Sequence, residues 1–336
     1  MRVFVTGATG FVGGHLVPAL LSRGYEVACL VRSEEKAERL KGKWPGIDTM
    51  IGDITDPESL GKIVPEEYDY VIHLAAMGHV ASTSEEDYIK FTAINEGGTK
   101  NLIEVFKHSP NLKRFVHVSS SAAMGFNPSI PVLNEKTEPN PVTPYQKSKR
   151  NSEMISLQAS REGVPTVIVR PCMIYGPGGY GEFYKFASLM NRGVFPKVGL
   201  GKNLTPLVHV EDVVSGLICA MEKGRPGEIY IIASETSIEM DQLRRHIVNS
   251  LGVSKPYIYV PGWMALIGAK ALEKLCAVLK KDPIVSSQNI RSTIADRTFD
   301  ITKAKDELGY MPKVSFEAGI KETIDWYRQQ GRFTAK

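Results

Sequence analysis

Several features that would identify a class of protein are scarce in this chain of 336 residues. It contains four cysteines: Cys29, Cys172, Cys219 and Cys276. No two of them have the spacing of metal ligands, and four are too few for a disulfide scaffold in a chain of this length. We therefore expect reduced, buried thiols and no metal site.

Long apolar runs and an excess of one charge are also missing. No stretch of about 18 apolar residues occurs, so we expect no membrane-spanning helix. The N terminus lacks the charged start, apolar core and cleavage site of a signal peptide, which predicts a cytoplasmic protein. Lys and Arg number 41 against 37 Asp and Glu, a formal net charge of +4. That excess is too small to predict binding to nucleic acid.

What is present is a regular alternation of short β-branched runs with helical stretches. The predicted strands are 2–6, 26–31, 48–51, 70–73, 114–119 and 166–170, and the predicted helices are 12–23, 34–41, 98–108 and 144–162. Repeated β-α-β units require a parallel sheet with right-handed crossovers. We therefore predict an α/β protein with a doubly wound, Rossmann-type parallel sheet.

The alternation stops after Pro171, which suggests two regions. A dinucleotide-binding domain is predicted over 1–171, with segments near 206–234 and 285–300 returning to it. A strand over 228–233 is expected to rejoin the main sheet. A smaller, mostly helical substrate-binding region takes the remaining segments, which are 172–205, 235–284 and 301–336.

The first strand leads directly into a glycine-rich turn with the spacing GxxGxxG. Gly7 permits a tight turn, Gly10 lets backbone N–H groups approach a pyrophosphate, and Gly13 lets the helix pack close to the strand. The helix that begins there points its positive end at the phosphates. A plain strand–turn–helix would use the same glycines for packing alone, but the position between strand and helix favours a dinucleotide.

The end of the second strand predicts which dinucleotide is preferred. NAD-specific proteins place Asp or Glu there to bind the ribose 2′-hydroxyl. This chain has Val31 followed by Arg32, whose guanidinium suits a 2′-phosphate. NADP(H) is therefore favoured over NAD(H), unless Arg32 is only a solvated cation. Asp53, before Ile54, either accepts from the adenine amino group or caps the turn before Pro57.

A tyrosine and a lysine four residues apart open the long helix after Pro144. Tyr145 and Lys149 share one helix face, and Thr143 suits the N-cap. A free phenol has a pKa of about 10, too high for proton exchange at neutral pH. A neighbouring ammonium is expected to lower the pKa of Tyr145. An exposed helix face would carry the same pair by chance.

Three serines end a strand upstream of that helix. Ser119, Ser120 and Ser121 are expected at the carboxyl edge of the sheet. A serine there can hydrogen-bond both a substrate oxygen and the tyrosine. At least one of the three is expected to satisfy local backbone groups instead.

These motifs, taken in order, resemble the extended short-chain dehydrogenase/reductase family, also called NAD-dependent epimerases/dehydratases. The resemblance covers essentially the whole chain. The matching segments are TGATGFVG (6–13), HLAA (73–76), Asn95 before GGT, VSSS (118–121), PYQKSK (144–149), RPCMIYGPG (170–178), VHVEDV (208–213) and RTFDI (297–301).

The resemblance implies a role for each matching residue. Tyr145 would be the acid/base, Lys149 its pKa tuner and ribose anchor, and Ser120 the carbonyl polariser. Asn95, near the active site, would be the fourth catalytic residue. The implied cofactor contacts are Gly7, Thr9, Gly10, Phe11, Val12, Gly13, Arg32, Asp53, Ile54, Leu74, Ala75, Ala76, Tyr145, Lys149 and Pro171. The implied substrate contacts are Ser120, Ser121, Met124 and Tyr175. Family kinship also implies a homodimer through the helices that follow Ser84 and Pro144.

Departures from the family pattern narrow the expected chemistry. Dehydratases place Asp and Glu after the active-site hydroxyl, where this chain has Ser121 and Ala122. Nucleotide-sugar members carry Arg-Asp where this chain has Thr205-Pro206, so a pyrophosphate loses a partner. The segments LVRS and RTFDITKAKDELGYMP resemble the dihydroflavonol-reductase and 3β-hydroxysteroid-dehydrogenase branches.

We therefore expect an NAD(P)-dependent enzyme that interconverts a ketone and a secondary alcohol on an apolar or semi-polar small molecule. A nucleotide-sugar epimerase using the same Ser, Tyr and Lys is the alternative. A non-catalytic dinucleotide-binding scaffold is a third hypothesis, although such proteins typically lose the tyrosine or the lysine.

An amphipathic segment over 262–281 stands out in the second half. Its apolar side is predicted to carry Leu272, Leu275, Cys276 and Leu279, and its polar side Lys270, Glu273, Lys274 and Lys281. The simpler interpretation is a substrate-region helix that buries its apolar stripe. The alternative is a basic interfacial helix that makes peripheral contact with a membrane.

Overall fold

The computed structural model of the chain describes residues 1–78, 85–125, 130, 132–193, 197–253, 259–278, 287, 290 and 294–333. Its strands are β1 (Arg2–Thr6), β2 (Glu26–Val31), β3 (Asp48–Ile51), β4 (Tyr70–His73), β5 (Arg114–Val118), β6 (Val132–Leu133), β7 (Thr166–Pro171), β8 (Met173–Tyr175), β9 (Lys197–Val198), β10 (Leu204–Thr205), β11 (Leu207–His209), β12 (Ile229–Ile232), β13 (Ile238–Glu239), β14 (Tyr259–Val260) and β15 (Thr298–Phe299).

Its helices are α1 (Phe11–Leu21), α2 (Glu34–Lys43), α3 (Pro57–Leu60), α4 (Glu85–Phe91), α5 (Gly98–Phe106), α6 (Pro144–Arg161), α7 (Glu182–Arg192), α8 (Val210–Lys223), α9 (Met240–Leu251), α10 (Gly262–Val278) and α11 (Phe316–Gln329). A π-helical turn, Thr92–Gly97, joins α4 to α5, and a second one covers Ala304–Leu308. Short 3₁₀ turns cover Pro65–Glu67 and Ser121–Met124.

A seven-stranded parallel sheet occupies the centre of the fold, in the order β12-β7-β5-β4-β1-β2-β3. Its strands are rich in buried Val, Ile and Phe, as expected of a sheet covered on both faces. Two separate apolar clusters lie on those faces. The doubly wound α/β fold is confirmed, and the predicted strand ends differ from the observed ones by at most one residue.

Local capping fixes where the site helices begin. The Thr143 side chain accepts from the Gln146 N–H, and the Gln146 side chain accepts from the Thr143 N–H, which is a capping box. Pro144 takes the first helical position, as the sequence predicts. Ser33 caps α2 in the same way by accepting from the Lys36 N–H.

Outside the central sheet, the second half forms two-stranded ladders: β8 with β11, β9 with β14, β10 with β13, and β6 with β15. A third apolar cluster links α7, α9 and α11. The strand expected over 228–233 rejoins the sheet beside β7 as β12. The segment near 285–300 contributes β15, which pairs with β6, and Phe299 of β15 packs in the same apolar cluster as strands of the central sheet.

The α10 helix begins where the sequence predicts, but its buried side differs from the prediction. Ala269 is buried and Leu272 and Cys276 are half-buried, whereas Leu275 is exposed. The last positions of the predicted helix, 279–281, lie outside the described residues. Among the described residues, none of the helices combines the length and the apolar character needed to cross a bilayer.

Candidate active site

The glycine-rich turn forms a cradle at the carboxyl end of β1. Gly7 has φ +77°, and a Cβ there would lie 2.7 Å from the Ala75 N atom. A Cβ at Gly13 would lie 2.4 Å from the Gly7 O atom, so the start of α1 packs directly on the turn. Within the described structure no side chain caps α1, whose first N–H groups therefore face this cradle. The cradle fits a dinucleotide pyrophosphate.

The cradle opens into a cleft of about 470 Å³ between the ends of β1, β2, β3 and β4. Arg32 and Lys36 both line it. The sequence analysis missed Lys36, which reaches the cleft because it lies on the first turn of α2, next to the strand that ends at Val31. The remaining lining residues are Thr6, Gly7, Thr9, Gly10, Leu30, Val31, Gly52, Asp53, Ile54, Thr55, Leu74, Ala75, Ala76, Met77 and Ile94.

Six residues predicted to contact the cofactor do not line this cleft, and two of them, Tyr145 and Lys149, are described below. Phe11 lines a separate hollow that also contains His15 and Gly178. Val12 packs against the apolar core, and Gly13 is buried against the turn. Pro171 is the buried last residue of β7, which lies three places along the sheet from β1.

Of the two roles that the sequence leaves open for Asp53, the structure shows the one in the turn, and the adenine contact stays a prediction. Its Oδ1 accepts from the Thr55 N–H at 2.9 Å and from the Thr55 hydroxyl at 2.8 Å, so it closes its own turn. It also lines the cleft. The helix that begins at Pro57 is capped by Asp56 and not by Asp53.

Tyr145, Ser120 and Lys149 meet at the carboxyl ends of β5 and β7. Tyr145 and Ser120 share a side-chain hydrogen bond. The Ser120 hydroxyl also accepts from the Ala122 N–H at 3.1 Å, which sets its position at the start of the 3₁₀ turn. Lys149 is buried, and its Nζ donates to the Val118 O atom at 3.0 Å.

The pKa of Tyr145 differs from the prediction, and the pKa of Lys149 is also shifted. Burial raises the pKa of Tyr145, and the hydrogen bond from Ser120 opposes that rise without cancelling it. The expected depression by Lys149 is therefore wrong for this structure, because removing the phenolate from water is the larger effect. Burial also lowers the pKa of Lys149 to about 8, while the negative charge of Glu153 raises it in part.

A buried ion pair supports this arrangement from below. Glu153, one turn after Lys149, binds Arg170 through two hydrogen bonds of 2.8 and 2.7 Å. Ser119 donates to the same carboxylate at 2.6 Å, so one of the three serines has a structural role. Both charged side chains are buried. Sequence reasoning missed the pair, although Glu153 follows Lys149 at helical spacing and Arg170 lies in the RPCMIYGPG segment.

Asn95 is buried and lies close to the catalytic helix, but it does not reach the cleft with a free amide. Its Oδ1 accepts from the Met77 N–H at 2.8 Å, and its Nδ2 donates to the Ser148 hydroxyl at 3.0 Å and to the Met77 O atom at 3.3 Å. Both amide hydrogens are therefore used. The predicted catalytic role is corrected to a positioning role that connects the cleft wall to α6.

A chain of hydrogen bonds through His73 also connects the cleft wall at Ala75 to Asn95. The Ala75 N–H donates to Thr6 Oγ1, which lies 2.7 Å from His73 Nδ1. His73 Nε2 lies 3.1 Å from Thr99 Oγ1, which donates to the Asn95 O atom. Burial lowers the pKa of His73 to about 3, so the ring is neutral and donates through Nε2.

The predicted substrate contacts divide into two groups. Ser120 and Ser121 are partly exposed at the end of β5. Met124 and Tyr175 are buried in apolar clusters, and the Tyr175 ring packs on Phe183 at 5.2 Å. We therefore do not retain Met124 and Tyr175 as substrate contacts. The described residues contain no group of three His, Cys, Asp or Glu arranged to hold a metal ion.

Comparison with known proteins extends over the whole chain. The sequence model of the NAD dependent epimerase/dehydratase family matches residues 3–233. A farnesyl-dihydroquinoline-oxide ketoreductase from Stigmatella aurantiaca is 29% identical over 98% of this chain and 97% of its own. A 3-beta-hydroxysteroid dehydrogenase from Mycolicibacterium neoaurum is 29% identical over 97% of this chain and 91% of its own.

Solved structures include a protein of the isomerase class. The UDP-glucose 4-epimerase of Thermotoga maritima, solved with UDP-glucose, superposes with a TM-score of 0.77 at 27% identity, covering 98% of this chain and 99% of its own. Reductases, dehydrogenases and epimerases therefore share this fold, and the reaction has to be argued from the site.

Proposed function

This chain belongs to the NAD-dependent epimerase/dehydratase family, and we propose that it interconverts a ketone and a secondary alcohol on an apolar or semi-polar substrate. The observation that carries the proposal is the meeting of Ser120, Tyr145 and Lys149 at the sheet edge that also bears the dinucleotide cleft. Ligands of open α/β sheets bind at this edge.

Each of the three side chains has a separate task. The Ser120 hydroxyl binds the substrate oxygen, and Tyr145 passes a proton to that oxygen during reduction or takes it back during oxidation. Lys149 supplies positive charge beneath the site and, as an ammonium, would donate to the ribose of a bound dinucleotide, as the family resemblance implies. The bound nicotinamide dinucleotide supplies or accepts the hydride.

We propose that the preferred cofactor is NADP(H). Arg32 and Lys36 place two cations on the cleft wall where β2 ends, and Val31 occupies the position that NAD-specific proteins give to a carboxylate. A 2′-phosphate matches two cations, whereas a 2′-hydroxyl gains little from them.

Residues near the substrate favour ketone reduction over the other reactions of the family. Ser121 and Ala122 stand where a dehydratase has acids, and Thr205-Pro206 replaces a phosphate-facing arginine. Two relatives similar over the whole chain are a ketoreductase and a hydroxysteroid dehydrogenase. The structural likeness to an epimerase keeps nucleotide-sugar epimerisation as the second candidate.

We propose that two copies associate through α4 and α6, which pack side by side in one protomer. Tyr88, Ile89 and Met154 expose large apolar side chains on these helices. The family resemblance places the first of these helices after Ser84, which itself lies outside the described residues. An Ile89→Glu/Met154→Glu variant is expected to halve the mass measured by light scattering.

Thermal shift separates the reductase from the epimerase. We expect NADPH to raise the melting temperature of the protein more than NADH at equal concentration. With NADPH bound, an apolar ketone such as decalone is expected to add a further rise, and UDP-glucose none. A larger rise with UDP-glucose than with the ketone would reverse the ranking.

A further inference from the structure

The exposed side of α10 is apolar where solvent would normally require polar residues. Trp263 is 66% exposed and Ile267 is 61% exposed. On a helix of 3.6 residues per turn, positions 263, 267, 270, 271 and 274 form one continuous stripe. All five of these residues are exposed. Met264 and Leu275, at 48% and 56% exposed, lie on one border of the stripe.

Exposed apolar side chains continue past the N-terminal end of the helix. β14, which directly precedes α10, pairs with β9, and the Gly199 N–H donates to the Val260 O atom. This pairing places Leu200, 70% exposed, and Tyr259, 51% exposed, at the N-terminal end of α10. We call these six side chains the α10 patch: Leu200, Tyr259, Trp263, Met264, Ile267 and Leu275.

The charges on the stripe are positive. Lys270 and Lys274 lie on it between the apolar residues and are exposed. The one carboxylate in the sequence of α10 is Glu273, which is half-buried and accepts from the Ser287 N–H at 2.7 Å. Lys270 and Lys274 outnumber Glu273, so the net charge of the described helix is positive.

The exposed apolar side chains and the lysines together indicate which partner fits the α10 patch. A second copy docked on this patch by two-fold symmetry would enclose four lysines in one interface, while Glu273, the one carboxylate of each described helix, is already bonded to the Ser287 N–H. A lipid surface accepts apolar side chains into its interface, and tryptophan suits the headgroup region in particular. Lysines extend from such a helix to anionic headgroups and bind them by charge.

We propose that the α10 patch docks this protein reversibly on membrane surfaces that contain anionic phospholipid. The helix lies in the interface with Trp263 and Ile267 inserted, while Lys270 and Lys274 contact the headgroups. This inference goes beyond the proposed reaction and does not depend on it. If both hold, an apolar substrate dissolved in the bilayer is collected where it is concentrated.

The test is vesicle co-sedimentation of the full chain with NADPH present. We expect binding to vesicles of phosphatidylcholine and phosphatidylserine in equal parts, and at least about tenfold weaker binding to phosphatidylcholine alone. Trp263→Gln/Ile267→Gln is expected to weaken binding about tenfold or more, because two apolar side chains no longer insert. Lys270→Gln/Lys274→Gln is expected to weaken binding about tenfold and to reduce its salt dependence.

Two controls isolate the patch. Met311 is also 66% exposed but lies outside α10, so Met311→Gln is expected to bind vesicles like the unchanged protein. Tyr145→Phe is expected to bind vesicles normally while losing turnover, which separates docking from the reaction. Absence of binding to anionic vesicles, equal binding by the α10 variants, or a loss of oligomeric mass in those variants would overturn the proposal.

Discussion

Two regions of this molecule place their side chains by different means. The central sheet with its helices is predicted to bind the dinucleotide, and we call it the dinucleotide half; the region of two-stranded ladders is predicted to bind the substrate, and we call it the substrate half. In the dinucleotide half, seven parallel strands bring Gly7, Ser120 and the α6 residues to one edge, and buried hydrogen bonds such as those of Asn95 hold them there. In the substrate half, ladders of two or three residue pairs join helices, and α10 exposes apolar side chains.

The largest effect is expected from removing one tyrosine hydroxyl in the dinucleotide half, compared with removing one in the substrate half. Tyr145→Phe is expected to lower kcat by about 10²–10⁴-fold, because the proton donor is lost. NADPH affinity is expected to stay within about twofold, since the phenol contributes little uniform binding. The measurement is steady-state kinetics together with a fluorescence titration of NADPH.

The matched control is Tyr175→Phe. Within the described structure the Tyr175 hydroxyl is buried and has no hydrogen-bond partner. Its removal is therefore expected to leave kcat unchanged and stability equal or slightly higher. Loss of turnover in Tyr175→Phe, or retention of turnover in Tyr145→Phe, would contradict the assignment of the two tyrosines.

The next largest effect concerns cofactor choice. Arg32→Ser/Lys36→Ser is expected to lower the kcat/KM ratio of NADPH over NADH by about 100-fold or more, since hydrogen bonds to charged groups contribute about 1.5–3 kcal/mol each and two are lost. Lys41→Ser removes an exposed cation from the same helix and is expected to leave the ratio unchanged. Equal ratios in both variants would show that the cleft does not bind a 2′-phosphate.

Two adjacent glycines test how tightly the cradle is packed. Gly13→Ala places a Cβ 2.4 Å from the Gly7 O atom and is expected to cost about 1–3 kcal/mol of stability. Gly14→Ala meets no atom within 4 Å and is expected to stabilise α1 by up to about 1 kcal/mol. Denaturant unfolding measures both variants, and equal stabilities would contradict the packing.

The smallest expected effect is on pH dependence. Lys149 carries its ammonium below a pKa of about 8 and loses it above, so activity is expected to fall as pH rises past that value. Glu153 raises this pKa, so Glu153→Gln is expected to move the alkaline limb to lower pH and to reduce kcat a few-fold at neutral pH. Glu96→Gln, which alters a half-buried carboxylate bonded to Asn151, is the control.

Most of the dinucleotide half can be predicted from the sequence, because short local patterns determine its strands and turns. A β-branched run between turn residues gives β1, and glycine spacing gives the cradle that follows it. Lys36 was missed because a single lysine on a helix carries no signal until the strand beside it is located. Asn95 was recognised, but its amide bonds to Met77 and Ser148 depend on contacts far apart in the chain.

The substrate half was less predictable, because its packing depends on contacts far apart in the chain. Tyr175 lies in the RPCMIYGPG segment that resembles the family, yet long-range packing buries its side chain. Leu275 has the helical spacing of a buried stripe, but it is exposed on α10.

The same limit applies to two residues of the dinucleotide half. Packing buries Met124, and burial raises the pKa of Tyr145 where a neighbouring charge predicted a fall.

The proposal that this site reduces apolar ketones is tested most directly by NADPH consumption with methyl ketones of increasing chain length. We predict that kcat/KM rises by up to about fourfold per added methylene, because each buried CH₂ contributes about 0.8 kcal/mol. UDP-glucose is predicted to be neither reduced nor epimerised. Conversion of UDP-glucose without net use of cofactor, together with no ketone-dependent oxidation of NADPH, would contradict the proposal.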